Sequence, residues 1–143
     1  MSSPYSPPGA PLSDAPGGKS STGLDANVAS LLCYVTMFCC GLGIIISLIF
    51  FLIEKSSRLV RFHALQGLLF GGVWIVVGML FRILYGLLNI ADMGILGIGL
   101  AGVQLLVILV LIVFLILAAI KAYQGQYYKL PVIGEFAWNA INK

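Results

Sequence analysis

The side chains able to do chemistry sit in one short polar stretch. It reads Glu54-Lys55-Ser56-Ser57-Arg58-Leu59-Val60-Arg61-Phe62-His63-Ala64-Leu65-Gln66 and lies between two long apolar runs. It holds the only histidine, three of the eight basic residues and one of the five acids. A lone His at the edge of an apolar run, with a reference pKa near about 6.5, could serve as an axial ligand for a tetrapyrrole or as a proton-sensitive gate. The plainer account makes His63 a hydrogen-bonded interfacial residue inside a charged collar. In that account Glu54, Lys55, Arg58, Arg61 and Gln66, with Arg82 on the far side, fix insertion depth and bind anionic lipid headgroups. Glu54 and Arg58 are four apart, which suits an ion pair if the turn is helical. No nucleophile–base pair, phosphate-binding loop or paired carboxylates can be assembled from the sequence, so no catalytic residue and no enzyme activity are expected. Cys33, Cys39 and Cys40 all fall in one apolar run and read as small packing residues, so neither a disulfide nor a metal site is expected.

These residues must be positioned by membrane helices. The chain is 60% hydrophobic and 9% charged, against about 25% charged in soluble domains. A net charge of +3 is too small and too dispersed for nucleic-acid binding. No basic start followed by a short apolar stretch marks a cleavable signal peptide. The fold class expected is an all-α integral membrane protein with three transmembrane helices and a C-terminal interfacial amphipathic helix. Residues 1–23, rich in Pro, Ser and Gly, are expected to be a disordered tail, and residues 24–143 the membrane domain.

Val28 to Ile53 carries no charge over its length and is long enough to cross a hydrocarbon core of about 30 Å as the first span. Asp25 suits its N-cap. Asn27, Ser30, Tyr34 and Gly41 share one helical face, a packing stripe, and the Cys-Cys-Gly-Leu-Gly stretch from Cys39 marks a bend. The second span is expected over 63–88. His63, Gly67, Gly71, Trp74, Gly78, Phe81, Arg82 and Tyr85 lie on one face and aliphatic residues on the other, so Gly67, Gly71, Trp74 and Gly78 form the helix-packing face. Arg82 lies 19 residues past His63, about 28 Å along a helix, and snorkels to the opposite headgroups, with Asp92 as candidate partner. Gly94, Gly97, Gly99 and Gly102 loosen the chain before a third span over 101–120, where Gln104, Ala118 and Ala122 share a face. Tyr123, Tyr127 and Tyr128 sit at headgroup level. Residues 121–143 form the interfacial tail, with Val132, Ile133, Phe136, Ala137, Ala140 and Ile141 on its apolar side.

Three crossings put the Glu54 loop and the C-terminus on one side, with six of the eight basic residues. The positive-inside rule then makes that side cytoplasmic and the N-terminus external, in a cytoplasmic (inner) membrane.

The motif Arg61-Phe62-His63-Ala64-Leu65-Gln66, after Glu54-Lys55, is similar to the signature of a family of small bacterial and archaeal membrane proteins of unassigned function. So is Ala122-Tyr123-Gln124-Gly125-Gln126-Tyr127-Tyr128-Lys129-Leu130-Pro131-Val132-Ile133-Gly134-Glu135. The family resembles the chloroplast inner-envelope protein-import translocon component and certain magnetosome membrane proteins. The resemblance covers about Gly23 to Asn142. Family members usually carry Ser in place of Gly67 and often an acid in place of Gln126. The resemblance implies no catalytic residues.

The expected function is assembly in the membrane, as a homo-oligomer or as an accessory subunit of a larger complex, in contact with lipid and not with nucleic acid. The alternatives are a channel or import component organised around Gln104 and Arg82, and a cofactor-binding subunit using His63.

Overall fold

The computed structural model describes residues 18–38 and 41–141. Among these, the regular elements are all helices: α1 (Ala26–Val35) ending in a 3-10 turn (Thr36–Phe38), α2 (Leu42–Ile53), α3 (Arg58–Ile90), α4 (Gly94–Tyr123) and α5 (Ile133–Ile141). Only α3 and α4 are long and apolar enough to cross a membrane.

The single helix expected over Val28 to Ile53 is instead a hairpin of two short helices. Gly41 takes φ +82°, a left-handed conformation that an L side chain rarely adopts and that ends helix propagation. Two residues on, a Cβ on Gly43 would stand 2.5 Å from the Met37 backbone nitrogen, so the returning arm approaches closely only because position 43 is glycine. The reversal brings Ser47 back beside α1, where its hydroxyl donates to the Cys33 carbonyl at 3.2 Å. In one straight helix those residues would lie about 21 Å apart. The expected bend is therefore a full turn-back, and the start of α1 lies beside the end of α2. Cys39 and Cys40 lie outside the described residues.

Helix α3 begins at Arg58, five residues before the expected start, because Ser57 caps it and accepts from the Val60 N–H. It runs unbroken past Arg82 to Ile90. After the turn through Ala91, Asp92 and Met93, α4 begins at Gly94. The four glycines expected to loosen this region lie inside α4, where the aliphatic residues between them sustain the helix.

The hairpin packs against the first half of α3, and α1 also lies against the last turns of α4. Tyr34 joins Phe70, Leu115, Ala118 and Ala122 in one buried cluster, while Cys33, Phe50, Val60 and Ala64 form another. The expected packing stripe on α4 is thus filled by α1 at Ala118 and Ala122. Helix α5 closes the same end of the molecule. Ala137, Trp138 and Ile141 pack on Phe62 and Leu65 of α3, while Val132 and Phe136 stay exposed. The tail therefore docks on protein along part of the side expected to face lipid.

Residues 18–23, expected to belong to the disordered tail, are held in place. Gly18 accepts from the Ala26 N–H at 2.7 Å and Ser20 donates to the Leu24 carbonyl at 2.8 Å. The rest of that tail, residues 1–17, lies outside the described residues.

Candidate functional site

The polar stretch and the C-terminal motif meet at one end of the helix bundle. Their residues bond mainly to one another.

His63 is fully buried. Its Nε2 lies 3.1 Å from the Gln126 carbonyl and its Nδ1 2.9 Å from the Tyr34 hydroxyl. A carbonyl only accepts, so Nε2 carries the proton; in that neutral tautomer Nδ1 accepts from Tyr34. Both ring nitrogens are thus hydrogen-bonded within the protein. One turn on, Gln66 is also fully buried, and its Nε2 donates to the Tyr128 carbonyl at 3.0 Å. Gln66 was expected in the lipid-facing collar; it is an internal latch. The two bonds fasten the segment after α4 to the start of α3, because His63 and Gln66 lie one turn apart on one face.

Aromatic rings continue the contact. Phe62, Tyr127 and Trp138 meet edge to face in a triangle, with centroids 5.4, 5.9 and 5.3 Å apart. Phe62 also meets His63 edge-on at 5.0 Å. Such pairs add about 0.5–1.5 kcal/mol each beyond area burial. The Lys129 ammonium stands 4.8 Å from the Trp138 ring and 3.4 Å from Glu135.

Glu54 forms the second knot. Its residue is 2% exposed, and the backbone there turns extended as α2 ends. The carboxylate accepts from the Ser20 hydroxyl, from the Ser21 N–H and hydroxyl at 3.0 and 2.9 Å, and from the Ser56 and Ser57 N–H groups at 2.9 Å each. Burial works to raise its pKa, but the hydrogen bonds from Ser20 and from the backbone of Ser56, Ser57 and Ser21 outweigh it and hold the carboxyl below its ordinary 4.5. The Ser21 hydroxyl in turn accepts from the Lys55 N–H at 2.8 Å. Glu54 was expected at the lipid-facing surface; it instead ties the chain before α1 to the turn after α2.

The other expected site residues divide. Lys55 is exposed and Arg58 and Arg61 are half-buried; the Arg61 guanidinium lies 5.5 Å from the Phe51 ring. Gly67 and Gly71 face the protein's own hairpin, where an added Cβ would stand 2.7 Å from Ser47 Oγ and 2.4 Å from Ile44 Cγ1. Trp74 is exposed, and Gly78 has open space beside it. The packing face expected to run through all four therefore ends at Gly71. Arg82 is exposed, and among the described residues no ion pair joins it to Asp92.

Sequence reasoning missed Ser20, Ser21 and Ser57, and it placed Tyr34 on a packing face without pairing it to His63. Ser57 carried a legible signal, an N-cap residue just before a long apolar-periodic run. The backbone carbonyls of Gln126 and Tyr128 carried none.

The description of the matching family, the magnetosome magnetite crystal formation protein family, covers residues 25–137. A UPF0132 membrane protein of Methanocaldococcus jannaschii is 39% identical over 84% of this chain and 92% of its own length. Another, of Archaeoglobus fulgidus, is 33% identical over 80% of this chain and 94% of its own. No solved structure matches. These matches carry the archaeal and magnetosome parts of the resemblance and say nothing of the plastid translocon. The matched region takes in Tyr34, Glu54, His63, Gln66, Gln126 and Tyr128 and stops short of Ser20, Ser21 and Trp138; the chain belongs to the magnetosome magnetite crystal formation protein family and is similar over most of its length to archaeal UPF0132 membrane proteins.

Proposed function

We propose that this chain is a non-catalytic integral protein of the cytoplasmic membrane that acts by assembly, with itself or as an accessory subunit of a larger complex. The observation that carries this reading is the use of its polar groups. His63, Gln66, Tyr34 and Glu54 are all buried and bonded to the protein's own backbone or side chains, whereas α3 and α4 beyond the hairpin present long apolar flanks. Groups committed in this way hold a shape. In the membrane α3 and α4 cross, and the α1–α2 hairpin enters and leaves on one side. Both termini then share the side bearing Lys19, Lys55, Arg58, Arg61, Lys121 and Lys129, which the positive-inside rule makes cytoplasmic. This replaces the external N-terminus expected from three crossings. What supports it is the contact of Ser20 and Ser21 with Glu54.

Two measurements test the reading. A reporter active only in the cytoplasm, fused before Met1 in one version and after Lys143 in another, is expected to work in both; activity at one end only would restore three crossings. In mild detergent the protein is expected to migrate as an oligomer or with a partner, and a lone monomer would overturn assembly.

A further inference from the structure

The molecule differs in width at its two ends. At the end carrying Glu54 and His63, α1, α2, α3 and α4 share the cross-section and α5 packs alongside; past Gly71, only α3 and α4 continue. The hairpin causes this. Its arms of 10 and 12 residues measure about 15 and 18 Å, roughly half of a hydrocarbon core of about 30 Å. Its tip stops where Ile44 meets Gly71. Gly71 lies about 15 Å along α3 from Arg61 and about 16 Å from Arg82, midway between the charges that bracket the apolar part of the helix.

Side-chain exposure follows the same division. Tyr34, Phe62 and His63 are fully buried, whereas Val76, Met79 and Leu80 lie 66%, 59% and 54% exposed. Beneath the tip a cavity of about 270 Å³ opens among Phe38, Gly41, Trp74 and Ile112.

At a diameter of about 10 Å, each helix occupies roughly 80 Å² of the bilayer plane. Four helices in one leaflet and two in the other give about a twofold difference in protein area, before α5 is added. We propose that this shape makes the protein a wedge that partitions into curved bilayers, its broad end lying in the convex leaflet. The ligand is a lipid surface recognised by its curvature rather than by headgroup chemistry. The convex leaflet of a bent bilayer offers more area than the concave one, and a protein twice as wide on that side fills the difference that lipids would otherwise fill by splaying. The inference rests on the membrane placement proposed above.

The test uses the full chain, labelled at its C-terminus and reconstituted in giant vesicles of mixed zwitterionic and anionic lipid, from which thin tethers are drawn. An impermeant quencher outside distinguishes copies whose broad end faces outward. Those copies are expected to concentrate severalfold in the tether, increasingly as it narrows, while copies inserted the other way are depleted. Equal densities at every radius, or enrichment independent of insertion direction, would overturn the wedge. If the two reporter fusions still agree in that case, the wedge alone falls; if they disagree, the placement itself is wrong.

Discussion

The Tyr34 hydroxyl lies 2.9 Å from Nδ1 of His63 and joins the α1–α2 hairpin to the first long helix in the middle of a buried cluster. Tyr34→Phe strands that nitrogen in a fully buried site. Leaving a buried polar atom unpaired costs about 1–3 kcal/mol, so the melting temperature in detergent is expected to fall. A cycle with His63→Leu is expected to show coupling of about 0.5–3 kcal/mol. Strict additivity would mean the bond is not made in solution.

Gly71 and Gly78 lie on the same helix but differ in what stands beside them. Gly71→Leu drives a side chain into Ile44, and overpacking of this kind costs about 1–3 kcal/mol. Gly78→Leu meets open space and is expected to leave thermal stability unchanged. Equal melting temperatures for the two variants would contradict the placement of the hairpin on α3.

Acid should loosen the Glu54 knot. The folded state holds that carboxyl below 4.5, so the unfolded chain binds its proton more readily. The stabilisation is complete above the ordinary value of 4.5 and drains away as pH falls through the lower folded value. Glu54→Gln is expected to be less stable than the parent at pH 7 and to converge toward it in acid. Protease cleavage between residues 18 and 25 across that range would reveal it; a gap that does not narrow would place the stabilisation elsewhere.

Trp138 is half-buried between Phe62, Tyr127 and the Lys129 ammonium. Trp138→Ala is expected to cost about 2 kcal/mol, below the roughly 3–5 of a fully buried ring, and to speed hydrogen exchange in α5 before that in α3. Uniform exchange would mean that α5 does not open separately.

The two long helices were legible because apolar runs of such length, ended by Lys121 on one side and by the Glu54–Gln66 stretch on the other, admit few other readings. The hairpin was not. Val28 to Ile53 satisfies every length and hydropathy criterion for a span, and hydropathy is blind to the direction of the chain. What reversed it was the left-handed conformation at Gly41 and the absence of a Cβ on Gly43, visible in the sequence only as a bend. The polar cluster was likewise recognised as a unit, but its orientation was inverted. Glu54, His63 and Gln66 looked like groups seeking headgroups, because their partners are backbone N–H and carbonyl groups brought together by the fold. Gly67 and Gly71 were read as a contact surface for assembly; in the fold they meet Ser47 and Ile44 of the protein's own hairpin, which the sequence did not reveal.

Helices α3 and α4, with 33 and 30 residues, are about 50 and 45 Å long, well beyond the roughly 30 Å of acyl chain in an average bilayer. On the proposed placement the apolar length that must match is shorter, about 31 Å between Arg61 and Arg82 on α3 and about 40 Å from Gly94 to Ile120 on α4, so it is the mismatch on α4 that a few ångströms of added thickness relieve. Acyl-chain length and sterol content thereby become a control on the posture of the whole molecule, and a membrane of uneven thickness would gather it in its thickest regions.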